Sequence, residues 1–410
     1  MRRFEIVNDI KERLAKGETL GRHTVKKLYG VSDYEARVVL EIAKFLVELE
    51  QEKAKINLKH HIELLKFKEQ KERLREQLVL ELLSNAVKVF EPPKITQKTR
   101  KVRVRGEEVA VILLSDWHIG EVVRAEAVSN VNAFNKYIAG ARLEYLCDKI
   151  AELVELQRSY TNINKAIVWF GGDIVSGLIH DELIKSADIT AVEQVAVAGY
   201  LLAQVVAELS TVFDHIEVIT TVGNHGRLAK RKEYKFSVLE NFDYIAYQIC
   251  ALALRKYRNV KFNISKAIFR FEDIAGWRFV FSHGDETRSW MSIPFYGLKR
   301  DFANKNILNA YLAGLQTQVQ PVNYKVVGHF HISGFIPEGG GYIIMNGTLK
   351  GIDEYAFTHG WITRPSQIIF GVHQEYGITW NYSIWLDVVK KENPSRFVVD
   401  LPDTWADLVI

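Results

Sequence analysis

Five short segments combine carboxylate, amide or imidazole side chains with glycine. Residues 115–120 read SDWHIG, which places Asp116 and His118 two apart. Residues 171–173 read GGD and supply Asp173, and residues 223–225 read GNH and supply Asn224 and His225. His283 opens an HG pair, and residues 328–331 read GHFH, again with two histidines, His329 and His331, two apart. Oxygen and imidazole donors without thiolate suit manganese, iron or zinc more than a structural zinc cage. Asp116, His118, Asp173, Asn224, His283, His329 and His331 make seven candidate ligands. That exceeds the four of one tetrahedral ion, so a pair of metals sharing a carboxylate is the economical arrangement. Two metals about 3.5–4 Å apart can generate a hydroxide and clamp both oxygens of an in-line displacement at phosphorus.

Each segment ends an apolar run of β type. The runs are 109–114, 166–170, 216–222, 278–281 and 324–327, with a further run at 342–345. A long helical tract at 191–209 lies between the second and third runs. Strands alternating with helices predict an α/β layered fold. In such folds ligands gather outside the carboxyl ends of strands, so the five segments converge on one place. In extended chain, residues two apart point to the same side. Asp116 with His118, and His329 with His331, are therefore each expected to present two ligands from extended backbone.

The ordered series D-x-H, G-D, G-N-H, H-G and G-H-x-H resembles the calcineurin-like metallophosphoesterase superfamily over roughly residues 109–351. The resemblance implies a four-layer α/β/β/α sandwich with a dinuclear metal site at the strand ends. It implies that Asp116, His118 and His331 hold one metal, with Asp173 bridging. Asn224, His283 and His329 would join Asp173 on the other, and His225 would act as general acid or stabilise the transition state. Gly226 stands where the family places an acidic residue after the histidine. No DRG element follows Asp173, which excludes a protein-phosphatase pattern. The GNHGR and DWHIG variants are similar to those of phage-encoded members grouped with SbcD-type repair nucleases.

The chain has 410 residues, enough for two domains. Its two cysteines, Cys147 and Cys250, are too few for a disulfide framework or a thiolate metal cage. The first residues lack a secretory apolar region, and no run approaches 18 uninterrupted apolar residues, so a cytoplasmic protein is expected, in host cytoplasm if viral. The first proline is Pro92, and only Gly17, Gly21 and Gly30 precede it. Residues 1–93 are therefore expected to be all-helical, 94–350 to form the catalytic domain, and 351–410 to be an extension packed on the core. Ser32 with Glu35 forms a capping-box pattern after Gly30, so two short helices joined there suit a helix-turn-helix with Arg37 facing out. An ordinary helical hairpin fits the same pattern. From 38 to 89, apolar residues including Ile42, Leu46, Leu49, Ile56, Ile62, Leu65, Leu74, Leu78 and Leu82 fit a long hairpin or coiled coil, and hence a homo-oligomer. His60 and His61 in this stretch read as surface residues.

Residues 1–100 carry 22 Lys and Arg against 16 Asp and Glu, while the remaining 310 carry 32 against 34. The basic excess lies wholly in the first quarter and suits an acidic polymer. The expectation is a metal-dependent nuclease acting on DNA, with two divalent ions: manganese first, and iron, zinc, nickel or cobalt as alternatives. Arg227 is a candidate phosphate contact; Lys230, Arg231 and Lys232 either track a backbone or form a solvated loop, and His180 either lines the rim or has a capping or surface role. Arg288 and Trp290 either stack a base or, as is commoner for a tryptophan, pack in the fold. The alternatives are a phosphodiesterase or phosphatase for small nucleotides, or a DNA-binding scaffold with a vestigial site; the intact ligand set argues against the scaffold.

Overall fold

A computed structural model describes residues 2–89, 106–287, 294–314, 320–392 and 394–401. The expected break at Pro92-Pro93, the base-stacking pair Arg288 and Trp290, and Trp405 lie outside the described residues, as do the side chains of Leu78 and Leu82. The chain divides into two compact units, Met1–Thr99 and Arg100–Ile410.

The first unit contains α1 (Arg2–Ala15), α2 (Arg22–Tyr29) and α3 (Asp33–Val89). Gly30 closes α2 at φ 65°, a left-handed conformation that glycine adopts without a Cβ penalty. The capping box forms as expected. Glu35 N–H donates to Ser32 Oγ at 3.2 Å, and Ser32 N–H donates to the Glu35 carboxylate at 3.2 Å. Ile6, Val7 and Ile10 pack with Val25 and with Ala36, Val39, Leu40 and Ala43 in a small core. Arg37 faces solvent and pairs with Glu41 at 3.2 Å.

Of the two arrangements expected, a hairpin or a coiled coil, the hairpin does not form: the stretch is one continuous helix. α3 runs for 57 residues, about 85 Å at 1.5 Å per residue. No glycine or proline falls between Gly30 and Pro92 to reverse the chain. Past Leu46 the side chains of Leu49, Ile56, Ile62, Leu65 and Leu74 are exposed.

The second unit begins with β1 (Glu107–Leu114), α4 (Lys136–Arg158), β2 (Asn162–Phe170), α5 (Asp181–Ser186), α6 (Ala191–Val212), β3 (His215–Thr220), α7 (Phe242–Ala253) and β4 (Val260–Asn263). It continues through β5 (Phe269–Ile274), β6 (Trp277–Ser282), α8 (Phe295–Gly314), β7 (Tyr324–Val327), β8 (Gly334–Glu338) and β9 (Gly341–Met345). It ends with α9 (Glu354–Thr358), β10 (Ser366–His373) and β11 (Gly377–Trp385). One sheet has the order β11-β10-β1-β2-β3-β4, and the other β5-β6-β7-β9-β8.

Alternate residues of β1 face different layers, as period-two geometry requires. Ala110, Ile112 and Leu114 pack with Leu143, Ile150, Leu201 and Val205 of α4 and α6. Val111 and Leu113 instead meet Phe279, Phe281 and Val326 of the second sheet. On that sheet's far side, Val280, Val327 and Ile343 pack with Leu298 and Phe302 of α8. The layers are thus α/β/β/α, as expected. α6 is long and apolar enough by composition to cross a membrane, but 67% of its most apolar window is buried in this core. Residues 366–385 are not packed on the core from outside. β10 pairs antiparallel with β1, with Ile112 opposite Ile369, and so belongs to the first sheet.

β1, β2 and β3 are parallel neighbours, as are β6 and β7. Their carboxyl ends deliver the five polar segments.

Candidate metal centre

Five of the seven candidate ligands lie just past the strand ends in left-handed backbone rather than in extended chain. Asp116, His118, Asp173, His329 and His331 have φ of 57°, 51°, 49°, 67° and 58°. This corrects the expectation that pleat alternation aims each pair. β1 stops at Leu114 and β7 at Val327, so each pair sits in the loop beyond. Such conformations cost about 1–3 kcal/mol each and persist where surroundings over-determine them. Here Asp116 N–H donates to Gly172 O at 2.9 Å, and His118 N–H to Asp173 O at 3.0 Å. Leu349 N–H and Thr348 Oγ1 donate to Asp116 O at 3.0 and 2.8 Å, and His329 N–H donates to Asp116 Oδ1 at 2.9 Å.

Six of the seven candidate ligands form two trios. Asp116, His118 and His331 offer ligand atoms within 4.8 Å of one another, and so do Asp173, His283 and His329. In the first trio, His118 Nε2 faces His331 Nε2 at 3.1 Å, and His331 Nε2 lies 3.4 Å from Asp116 Oδ1. In the second, His283 Nε2 lies 3.0 Å from Asp173 Oδ2, off the line a hydrogen bond requires. His283 Nδ1 donates to Gly171 O at 2.8 Å, which turns Nε2 towards the trio. Asn224 Oδ1 is buried without a hydrogen-bond partner, and its neighbour His225 donates its backbone N–H to Asp173 Oδ1 at 2.6 Å. Converging, buried and partly unpartnered oxygen and imidazole donors fit divalent cations.

The electrostatics differ across the site. Burial pushes His118 well below the ordinary histidine range, helped by the Lys350 ammonium. Burial and the charge of His283 push His329 down to about 4. Burial also opposes charge on His283, but the Asp173 carboxylate outweighs it and raises His283 well above the ordinary value. Burial would raise Asp173, yet His283 and His225 hold it well below the carboxylate range. His225 is pushed down by burial, against the pull of Asp173. Its Nδ1 donates to Ser176 O at 3.0 Å, and its ring lies edge-on to His118 with centroids 4.6 Å apart.

Several supporting residues were not legible in the motifs. The buried Asp243 carboxylate at the start of α7 accepts N–H bonds from Asp173 at 2.9 Å, Ile174 at 3.0 Å and Gly223 at 2.9 Å. It thereby ties the GGD loop to the GNH loop. Burial, with Asp173 nearby, raises it to about 6. Asn241 caps α7 and donates to Gly223 O at 2.9 Å. A Cβ on Gly226 would come within 2.2 Å of Asn241 Oδ1 and 3.1 Å of Asp243 Cγ. The acidic side chain missing after His225 thus has no room, and Asp243 places a carboxylate beside that spot. The Asn-Phe-Asp helix start was the only signal available. Around the first trio, Lys350 is buried and donates to both oxygens of Glu121 at 2.8 and 3.0 Å, and to Asp353 at 2.5 Å. Glu121 Oε2 lies 3.7 Å from His118 Nδ1.

The expected substrate contacts divide. Arg227 is half-buried, with Nε donating to Asn224 O at 3.1 Å. His180 is exposed at the start of α5, its ring 5.3 Å from that of His225, which places it at the rim. Lys230 pairs with Asp181, and Lys232 pairs with Asp285 at 2.6 Å. Two of the four cations expected to track a backbone are therefore already neutralised.

No family model and no curated protein matches this chain. Among solved structures, the chain is similar to a zinc complex of Vps29 from Entamoeba histolytica at 10% identity and a TM-score of 0.27, covering 68% of this chain and 99% of that one. It is similar to an archaeal phosphodiesterase at 12% identity and a TM-score of 0.28, covering 67% of this chain and 99% of that one. It is also similar to the sulfate thiohydrolase SoxB of Thermus thermophilus at 10% identity and a TM-score of 0.29, covering 71% of this chain and 58% of that one.

Proposed function

We propose that the second unit is a metal-dependent phosphoesterase that hydrolyses phosphodiester bonds, and that its substrate is DNA. The observation that carries this reading is the convergence of two oxygen-imidazole trios from separate strand ends, five of the six residues in left-handed backbone. Two divalent ions held there, manganese by preference, would activate water and neutralise charge on the phosphoryl oxygens. Asp116, His118 and His331 would hold one ion, and Asn224, His283 and His329 the other, with Asp173 between them. His225 Nδ1 faces Ser176 O at 3.0 Å, so its Nε2 would stabilise the transition state or, when protonated, donate a proton to the departing oxygen. Arg227 and His180 would contact the substrate on its approach.

The DNA substrate is supported by the basic excess of residues 1–100 and by the turn that joins α2 to the capped start of α3. The same features suit the phage-type, repair-nuclease branch of the superfamily. The exposed apolar residues of α3 support self-association, and a cytoplasmic location accompanies this reading. A second reading, hydrolysis of small nucleotides, is favoured by the pairing of Lys230 and Lys232.

The test is cleavage of labelled single- and double-stranded DNA with Mn²⁺, beside bis(4-nitrophenyl) phosphate. Asp173→Ala should lower turnover by about a thousandfold or more, since charge stabilisation by bound cations contributes several kcal/mol. DNA cleavage lost in the variant supports the nuclease. Cleavage of the small ester alone moves the substrate to small nucleotides, and retained activity and metal content in Asp173→Ala sinks the two-metal reading.

A further inference from the structure

From Glu121, beside the first trio, a chain of ionic contacts through Lys350 leads to the cap of a helix that carries an exposed aromatic cluster. Glu121, 3.7 Å from His118 Nδ1, binds Lys350, and Lys350 binds Asp353. Asp353 caps α9 through its other oxygen, which accepts the Ala356 N–H at 2.7 Å. Burial works against the Asp353 carboxylate, but Lys350 and, more weakly, His331 hold it ionised. α9 therefore starts within electrostatic reach of the proposed metal ligands.

Beyond that cap lie three rings in mutual contact. Tyr355 and His359 have centroids 4.4 Å apart, His359 and Trp361 4.9 Å, and Tyr355 and Trp361 5.6 Å. They are not core residues: Tyr355 is 58% exposed and Trp361 39% exposed. The His359 ring is oriented by Nδ1 lying 2.8 Å from the Tyr355 backbone carbonyl, and the turn that carries Trp361 is closed by its backbone N–H donating to Ala356 O at 2.8 Å. Beside them is a cavity of about 330 Å³ lined by Phe357, Ile362 and Lys390 among others, and by Arg364, whose guanidinium is paired with Asp387 at 2.9 and 3.0 Å. Exposed aromatic faces suit a stacked base.

We propose that Tyr355, His359 and Trp361 form a stacking platform for a nucleobase of the substrate, on and just past the helix whose cap Lys350 ties to Glu121 beside His118. This rests on the phosphodiesterase reading and adds that the ester carries a nucleoside beside the scissile phosphate.

Two substrates share a leaving group and differ only in that nucleoside: the 4-nitrophenyl ester of thymidine 5′-phosphate and methyl 4-nitrophenyl phosphate. Trp361→Ala should raise KM for the thymidine ester about tenfold, the scale of one lost stacking contact, and leave the methyl ester unchanged. Trp361→Phe should restore the preference. Independently of turnover, thymidine 5′-monophosphate should quench tryptophan fluorescence of the wild type, and Trp361→Ala should abolish most of that quench. Equal effects on both esters, or none on either, together with an unaltered quench, would overturn the platform and leave the cluster as a protein contact. In that case the methyl ester is still hydrolysed, so the phosphodiesterase reading survives. A wild type that hydrolyses neither ester removes both.

Discussion

The trio of Asp116, His118 and His331 and the trio of Asp173, His283 and His329 have the same composition, one aspartate and two histidines, but different starting charges. In the first, burial and the Lys350 ammonium keep His118 neutral, with its Nε2 facing His331. In the second, His283 is held as a cation against Asp173 before any metal arrives. A cation entering the first trio meets a neutral His118. One entering the second must displace a proton from an internal ion pair. Equal ligand lists therefore do not make equal sites, because the surrounding charges set what each must give up.

The comparison is broken most forcefully at Lys350. Lys350→Met strands the carboxylates of Glu121 and Asp353 in a buried setting and removes the charge that helps keep His118 neutral. Loss of one partner of a buried ion pair costs about 3–5 kcal/mol, and urea denaturation should show a loss of that size. An unchanged midpoint would mean that the ionic chain contributes nothing net.

Asp243→Asn sharpens the contrast from the other side. Its carboxylate holds the backbone around Asp173, so the second trio should lose about 10–100-fold in Mn²⁺ affinity, the usual effect of a supporting group. The first trio should change little. Electron paramagnetic resonance titration resolves the two affinities, and an equal loss at both would show that the trios act as one unit.

The smallest effect is a proton count. Below its raised pKa, His283 carries a proton that must leave before Nε2 can bind a metal. Loading the second trio at neutral pH should release about one proton, and affinity there should rise with pH. His118 has none to give. Calorimetry in buffers of different ionisation enthalpy reads the difference directly.

The metal-ligand candidates were legible because each closes an apolar run, and a sheet that buries such runs must bring their ends together. Their backbone conformation was not, since nothing in D-x-H distinguishes a pleated pair from two left-handed residues. Asp243, Glu121 and Lys350 act across the fold from helices and loops that carry no motif. The single α3 was readable in principle, because no turn residue interrupts it. The place of β10 was not, because an apolar strand late in a chain does not announce its neighbour.

That placement has a consequence for how the protein is made. Ser115, just past β1, bonds to Gln367 of β10 at a separation of 252 residues. At about 5–20 residues per second, β10 follows β1 from the ribosome after roughly 10–50 s. Throughout that interval β1 has one open edge, with Val111 and Leu113 on one face and Ile112 on the other. A hydrophobic strand with an unpaired edge is a template for the wrong partner. The nascent chain therefore passes through a window in which its central strand needs shielding, and a stop codon before residue 366 would make that window permanent.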